Sequence, residues 1–183
     1  GMLAGLSLDG KGFFYENPLE INLRNRIRHT SACGTDRLPI TQRKEVFECS
    51  CCPPNINRTL ATINEYIYAT EGDTLYVNQF MSSEAKISDI SVKQSTNYPV
   101  DGKVKLSFGN VKTAKIRIPC WCKEFTVNTA YTVADNYINL ENPTDVEIEF
   151  VMKPVLVRTS SNVYSNAGKV ALQYGPVVYC AEA

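Results

Sequence analysis

Residues 145–152 read DVEIEFVM and alternate apolar with charged side chains over most of their length. In an extended chain, Val146, Ile148 and Phe150 point to one side, and the two intervening glutamates point to the other. This alternation is typical of a strand with one buried face and one solvated face. The stretch therefore predicts an antiparallel sheet that covers a hydrophobic core on one side only.

The same period of two recurs earlier in the chain. Residues 75–80, 85–92, 103–108 and 115–118 alternate in a similar way, and short breaks rich in Gly, Asn or Pro separate them. Repeated short strands of this kind predict an antiparallel β-sandwich of roughly eight to ten strands. We expect this sandwich to occupy residues 73–183.

Residues 1–72 are less regular and contain one predicted helix. Residues 13–15 predict one arm of a hairpin. Pro53 and Pro54 suit a helix start, where a missing N–H costs nothing, and Gly72 is the predicted end. The apolar residues at helical spacing between them are Ile56, Leu60, Ile63 and Ile67. The predicted fold is therefore mainly β, an antiparallel β-sandwich preceded by a hairpin and one helix.

Composition limits the classes of partner. The 183 residues include 19 Lys plus Arg and 19 Asp plus Glu, so the formal net charge is zero. A neutral chain lacks the attraction by which basic proteins bind nucleic acid or an anionic membrane, and no apolar run approaches the roughly 20 residues that span a bilayer. We expect neither partner. Gly1 before Met2 is interpreted as an added residue, so the chain is expected to begin inside a longer protein.

Seven cysteines are an unusual number, and an odd count excludes complete pairing within the chain. Cys49, Cys51 and Cys52 fall within four residues, directly before the predicted helix. The helix dipole and free N–H groups favour a thiolate at that end, and zinc takes deprotonated sulfur ligands. The alternative interpretation is a set of buried free thiols.

Other candidate residues have simpler interpretations. His29, in a polar segment, is interpreted as solvated. Cys120 and Cys122 flank Trp121 on a predicted strand, where both share one face and are interpreted as buried thiols, with a metal or redox role as the alternative. Sugar stacking is conceivable for four tyrosines, although packing between sheets is favoured. These four are Tyr66, Tyr68, Tyr76 and Tyr98.

Residues 49–58, CSCCPPNINR, resemble the Cys-Cys-x-Pro-Asn stretch of the bacterial β-L-arabinofuranosidases, glycoside hydrolase family 127. The resemblance covers nearly the whole chain, and the double cysteine followed by Pro-Asn is its most specific part. Similar stretches in the same order are LSLDG (6–10), FFYENPLE (13–20), EYIY (65–68), DTLYVN (73–78), IRIPCWC (116–122) and GKVALQYGPVVY (168–179).

The resemblance implies a retaining, zinc-dependent hydrolase that acts on β-linked L-arabinofuranosides or similar plant glycans. In this family an (α/α)6 barrel precedes β-sandwich domains, so residues 1–72 would be the end of the barrel, with its last helix, and residues 73–183 the sandwich. Cys51 would be the nucleophile and also contact zinc, and Cys52 would be a zinc ligand. Zinc would keep the thiolate formed, and sulfur would attack the anomeric carbon.

The resemblance also implies what this chain lacks. The family's acid/base Glu and two further zinc ligands, a Glu and a Cys, lie upstream in the barrel, and Glu48 and Cys49 do not match those positions. We therefore expect the chain alone to be inactive and to hold zinc weakly or not at all, with the missing barrel as its partner. The apolar helix face is expected to pack on the sandwich or to form a homodimer.

Two other functions remain open. One is a non-catalytic carbohydrate-binding sandwich, and the other is a structural zinc module built from Cys49, Cys51 and Cys52. The sequence leaves the compartment open between the bacterial cytoplasm and the periplasm or exterior.

Overall fold

A computed structural model of the chain describes residues 5–12, residue 45 and residues 51–179. The predicted hairpin at residues 13–15 lies outside them. The described part is mainly β, as predicted. Its strands are β1 (Tyr68–Glu71), β2 (Thr74–Val77), β3 (Ser83–Ile87), β4 (Ile90–Thr96), β5 (Lys103–Gly109), β6 (Thr113–Arg117), β7 (Phe125–Val127), β8 (Thr132–Ala134), β9 (Tyr137–Glu141), β10 (Asp145–Phe150), β11 (Pro154–Arg158), β12 (Val170–Tyr174) and β13 (Val177–Tyr179).

The helix is shorter than its apolar spacing predicts. Helix α1 spans Cys52–Thr62, and the 3-10 helix η1 (Ile63–Tyr66) follows it. Ile67 leaves the helix because its side chain is buried and its carbonyl accepts the backbone N–H of Asn78 at 2.8 Å. The prediction of a helix that ends at Gly72 is therefore wrong. Gly72 lies in the turn between β1 and β2, at a φ of 57°.

Ten strands form two five-stranded sheets. Sheet A has the order β1-β2-β6-β9-β8, and sheet B has the order β3-β4-β5-β10-β7. Neighbouring strands are antiparallel except β2 and β6, which pair in parallel. The predicted sandwich corresponds to these two sheets. Strands β11, β12 and β13 form a separate sheet in that order, which the sequence does not distinguish from the sandwich.

The core of the sandwich is formed by the inner faces of sheets A and B. Val146, Ile148 and Phe150 of β10 are at most 2% exposed, which confirms the alternation predicted there. In β5 and β10 every second residue is buried over most of the strand, and the alternate residues are polar and exposed. The buried core residues are Leu75, Val77, Phe80, Val92, Val104, Leu106, Val111, Ala114, Ile116, Ile138, Leu140, Val146, Ile148 and Phe150.

Residue contacts divide the chain into two compact units. One comprises Thr62–Val157 and Leu172–Val178 and includes sheets A and B. The other comprises Gly1–Ala61, Arg158–Ala171 and Tyr179–Ala183, and includes nearly all of α1. The predicted division between residues 72 and 73 stays a prediction. No helix in the described ranges is long and apolar enough to cross a membrane.

Candidate functional site at the Cys51–Cys52 pair

Cys51 and Cys52 lie at the start of α1. Cys51 directly precedes the helix, and Cys52 is its first residue. Pro53 and Pro54 follow in the first turn, where N–H groups have no acceptor within the helix, so prolines are tolerated there. Their fixed φ angles stiffen the backbone on the C-terminal side of the pair. The helix begins here because the prolines permit a first turn but not an interior one.

The two thiols lie side by side. The Cys51 and Cys52 sulfurs are 3.6 Å apart, and both cysteines are free. A disulfide would bring the sulfurs to about 2.05 Å. Two sulfurs bound to one tetrahedral zinc ion, with Zn–S bonds of about 2.3 Å, lie about 3.8 Å apart. The separation therefore fits two corners of a zinc tetrahedron. The side chain of Cys51 is exposed and that of Cys52 is partly buried.

A chain of hydrogen bonds connects the pair to the helix. The Asn55 side-chain amide donates to the Cys51 carbonyl at 2.7 Å, and the Arg58 guanidinium donates to the Asn55 side-chain oxygen. The Thr59 hydroxyl donates to the Asn55 carbonyl at 2.8 Å. The sequence indicates Asn55 and Arg58 only as parts of the CSCCPPNINR motif, not as individual site residues. Their spacing could have indicated this contact, since Asn55 lies about one helical turn beyond Cys51.

Other metal ligands do not join the pair within the described residues. No group of three or more His, Cys, Asp or Glu side chains placed to hold a metal ion is found in that part of the chain. His29, Glu48 and Cys49 lie outside the described residues. The described part of the chain thus brings together two sulfurs, without a third metal-binding side chain beside them.

The second cysteine group is not on a strand. β6 ends at Arg117, and the Cys122 N–H donates to the Pro119 carbonyl at 2.9 Å, which closes a turn. Pro119 has no N–H for a strand ladder, so β6 does not extend through this segment. The predicted strand and the predicted burial of Cys120 are therefore wrong, because Cys120 is exposed.

Cys122 is in a more enclosed environment than Cys120. It is partly buried, and its thiol donates to the Glu124 carbonyl at 3.1 Å. Burial raises the pKa of the Cys122 thiol, and this effect outweighs the hydrogen bonds that lower it. The neighbouring Trp121 ring stacks on Tyr98, with ring centroids 6.4 Å apart. These contacts are typical of a residue at the edge of a core, so they do not favour Cys122 as a second reactive site.

Two of the four tyrosines considered for sugar stacking, Tyr76 and Tyr98, contact other side chains, whereas Tyr66 is exposed. The Lys115 amine lies 5.3 Å from the centroid of the Tyr76 ring, and the Tyr76 hydroxyl donates to Glu71. Tyr98 packs against Trp121. These contacts occupy ring surface that a sugar would need, so they favour the packing interpretation.

Comparison with known proteins matches the chain, in order, to three domains. Residues 1–65 match the β-L-arabinofuranosidase GH127 catalytic domain. Residues 74–152 match the GH127 middle domain, and residues 154–183 match the glycoside hydrolase family 127 C-terminal domain. The Cys51–Cys52 pair therefore lies in the catalytic-domain match, and both five-stranded sheets lie largely in the middle-domain match.

Similar proteins agree with this division. The chain is 35% identical to the non-reducing end β-L-arabinofuranosidase of Bifidobacterium longum subsp. longum, covering 100% of this chain and 30% of that protein. The structure of a GH127 β-L-arabinofuranosidase from Geobacillus stearothermophilus T6 matches this chain with a TM-score of 0.80 and 34% sequence identity. The match covers 96% of this chain and 30% of the Geobacillus chain. A GH127 β-arabinofuranosidase matches with a TM-score of 0.75 and 30% identity over 98% and 31%.

All three domain matches are to models of one glycoside hydrolase family, and the similar proteins are enzymes of that class. The chain belongs to glycoside hydrolase family 127, as its motifs predicted. It spans about 30% of the length of the curated relative that it matches.

Proposed function

We propose that this chain is part of a longer β-L-arabinofuranosidase, to which it contributes the nucleophile Cys51 and the zinc ligands Cys51 and Cys52. The observation that carries the proposal is the pair of free thiols 3.6 Å apart at the start of α1. This pair lies within the catalytic-domain match. The substrate class, a β-linked L-arabinofuranoside, follows from the names of the similar enzymes.

Cys51 is suited to the nucleophilic step because its side chain is exposed. Its thiolate sulfur bonds to the anomeric carbon as the bond from that carbon to the leaving oxygen breaks. The leaving oxygen takes a proton from an acid that the rest of the enzyme supplies. Water then attacks the same carbon and gives one proton to the conjugate base of that acid, while the electron pair of the C–S bond returns to sulfur. Two successive displacements retain the anomeric configuration.

Zinc, when bound, would keep the Cys51 sulfur deprotonated and ordered near neutral pH. The donor set supports this part of the proposal, because two adjacent thiols fit two corners of a tetrahedral site. Contrary to the expectation from the sequence, the first turn offers a thiolate few N–H donors, since Pro53 and Pro54 have no N–H groups. We assign the acid/base carboxylate and the two remaining ligands to the missing barrel of the longer enzyme, outside this chain.

The test of the nucleophile is Cys51→Ser in the longer protein, with a β-L-arabinofuranoside as substrate. We expect kcat to fall roughly 10³-fold or more, as when other covalent enzymes lose their nucleophile. Cys120→Ser is the matched control, because it removes another exposed thiol and should leave kcat unchanged. Near-normal activity in the Cys51→Ser enzyme would overturn the proposal.

A second test uses the 183-residue chain alone. We expect it to release no L-arabinose and to hold far less than one equivalent of zinc by elemental analysis, because two thiols leave half of a tetrahedron unfilled. One full equivalent of zinc that Cys51→Ser removes would instead favour a structural zinc module built from Cys49, Cys51 and Cys52.

A further inference from the structure

The Asn55 side chain makes two different hydrogen bonds at once. Its amide nitrogen donates to the Cys51 carbonyl at 2.7 Å, and its oxygen accepts from the Arg58 guanidinium. The bond from Arg58 orients the amide, because only the oxygen can accept it. The nitrogen of Asn55 is then directed at Cys51. An aspartate in this position would accept from Arg58 equally well but would have no hydrogen to donate.

The carbonyl that Asn55 holds belongs to the peptide group between Cys51 and Cys52. This group is planar, so its orientation sets ψ of Cys51 and φ of Cys52 together. Those two angles determine how the two Cβ atoms diverge, and so they set the range of separations that the two sulfurs can reach. On the other side of Cys52, Pro53 restricts the backbone further. Pro53 acts mainly on ψ of Cys52, so the Asn55 bond is the contact that holds the Cys51–Cys52 peptide itself.

We propose that Asn55, oriented by Arg58, is a positioning residue that fixes the Cys51–Cys52 peptide and thereby keeps both sulfurs at a spacing that one metal ion can bridge. This inference rests on the proposed function. Asn55 itself touches neither sulfur in this role. Without its bond the peptide can rotate, and the sulfurs then have to be brought together again each time the metal binds.

The test compares Asn55→Asp and Asn55→Ala with matched changes at Asn57 in the longer protein. Asn57 is exposed on the same helix and is not part of the Arg58–Asn55–Cys51 chain, so Asn57→Asp adds the same charge and Asn57→Ala makes the same truncation. The first readout is zinc affinity by chelator competition. The second is the thiolate-to-metal absorption band after cobalt substitution.

Both Asn55 variants should weaken zinc affinity roughly 10-fold or more, the effect typical of residues that orient metal ligands. They should also shift the cobalt band and lower kcat with little change in KM, while both Asn57 variants behave as the unchanged protein. Equal zinc affinity in the Asn55 and Asn57 variants would overturn the inference. A purely structural role would lower the unfolding midpoint without changing the cobalt spectrum of the folded protein, and that result would also overturn it.

Two further variants keep the inference testable if the Asn55 changes prevent folding. Arg58→Lys retains a donor for Asn55, and Arg58→Ala removes it, so the alanine variant should lose more zinc affinity than the lysine variant. Equal affinities would count against the inference. The proposed function is tested separately by Cys51→Ser. Activity in that variant defeats the proposed function, whereas an inactive Cys51→Ser with unaffected Asn55 variants defeats the inference alone.

Discussion

At the scale of single residues, two neighbouring thiols differ in environment. Cys120 is exposed, whereas Cys122 is partly buried and donates to the Glu124 carbonyl. Since thiolates are the reactive form, the raised pKa and burial of Cys122 should both slow its alkylation. The pair thus offers an internal comparison on one short turn.

We predict that iodoacetamide labels Cys120 before Cys122 at pH 8. Tryptic cleavage after Arg117 and Lys123 releases both cysteines on one peptide, so fragment spectra can separate the two modifications. In urea the two rates should become similar, which serves as the control. Faster labelling of Cys122 in the folded chain would contradict the burial described for it.

The same pKa shift predicts how pH affects stability through Cys122. Its folded-state pKa lies above its ordinary value because of burial, so the thiol form favours the folded state. That contribution is complete below the ordinary thiol pKa and is lost as pH rises through the raised value. Unfolding curves above about pH 9 should therefore depend less on pH in Cys122→Ala than in the unchanged chain.

Residue types predicted the thiol pair better than the second cysteine group. Two adjacent cysteines directly before two prolines already indicated a helix start with two thiols beside it. The spacing of Asn55 from Cys51 permits their contact, but the contact also depends on the rotamer of the Asn55 side chain, which the sequence does not show. At Cys120 and Cys122 the alternation suggested a strand, but Pro119 interrupts the ladder.

At the scale of elements, β10 is an interior strand of sheet B, with β5 and β7 on either side. Ile148 is 2% exposed, and the next residue, Glu149, points to solvent. We predict that Ile148→Ala destabilises the chain by about 2–5 kcal/mol, because it removes transfer free energy and leaves a cavity. Glu149→Ala is the control and should change the free energy of unfolding by no more than about 0.5 kcal/mol. Urea unfolding followed by circular dichroism measures both, and equal effects would contradict the assignment of faces.

The alternation of apolar and polar residues predicted the long strands, but it did not predict which strands pair with one another. β5 and β10 were clear because every second residue is apolar. The parallel pairing of β2 with β6 depends on contacts between distant parts of the chain, which a local pattern does not contain. The end of α1 was missed for a similar reason, because burial of Ile67 overrides the helical spacing.

At the scale of the whole molecule, the sandwich core lies within one continuous stretch. Its first buried residue is Leu75 and its last is Phe150. We therefore predict that residues 62–153 fold without the rest of the chain. A β-type circular dichroism spectrum and cooperative urea unfolding would support this. A spectrum without regular structure would show that β11, β12 and β13 are required.

The family was predictable from ordered motifs, but the number of β domains was not. The middle-domain match ends at residue 152, and the C-terminal match begins at residue 154, where β11 also starts. Apolar residues continue across this point without a change in composition. Composition alone therefore predicts one domain here, because the boundary is marked only by the change from one sheet to another.

The parallel pairing of β2 with β6 also has a consequence for synthesis. A chain leaving the ribosome presents β2 well before β6, and presents β5 and β7 before β10, which lies between them. The core between the two sheets is thus incomplete until translation has passed residue 150. Slow decoding between β5 and β10 would prolong this exposure and favour aggregation on the ribosome.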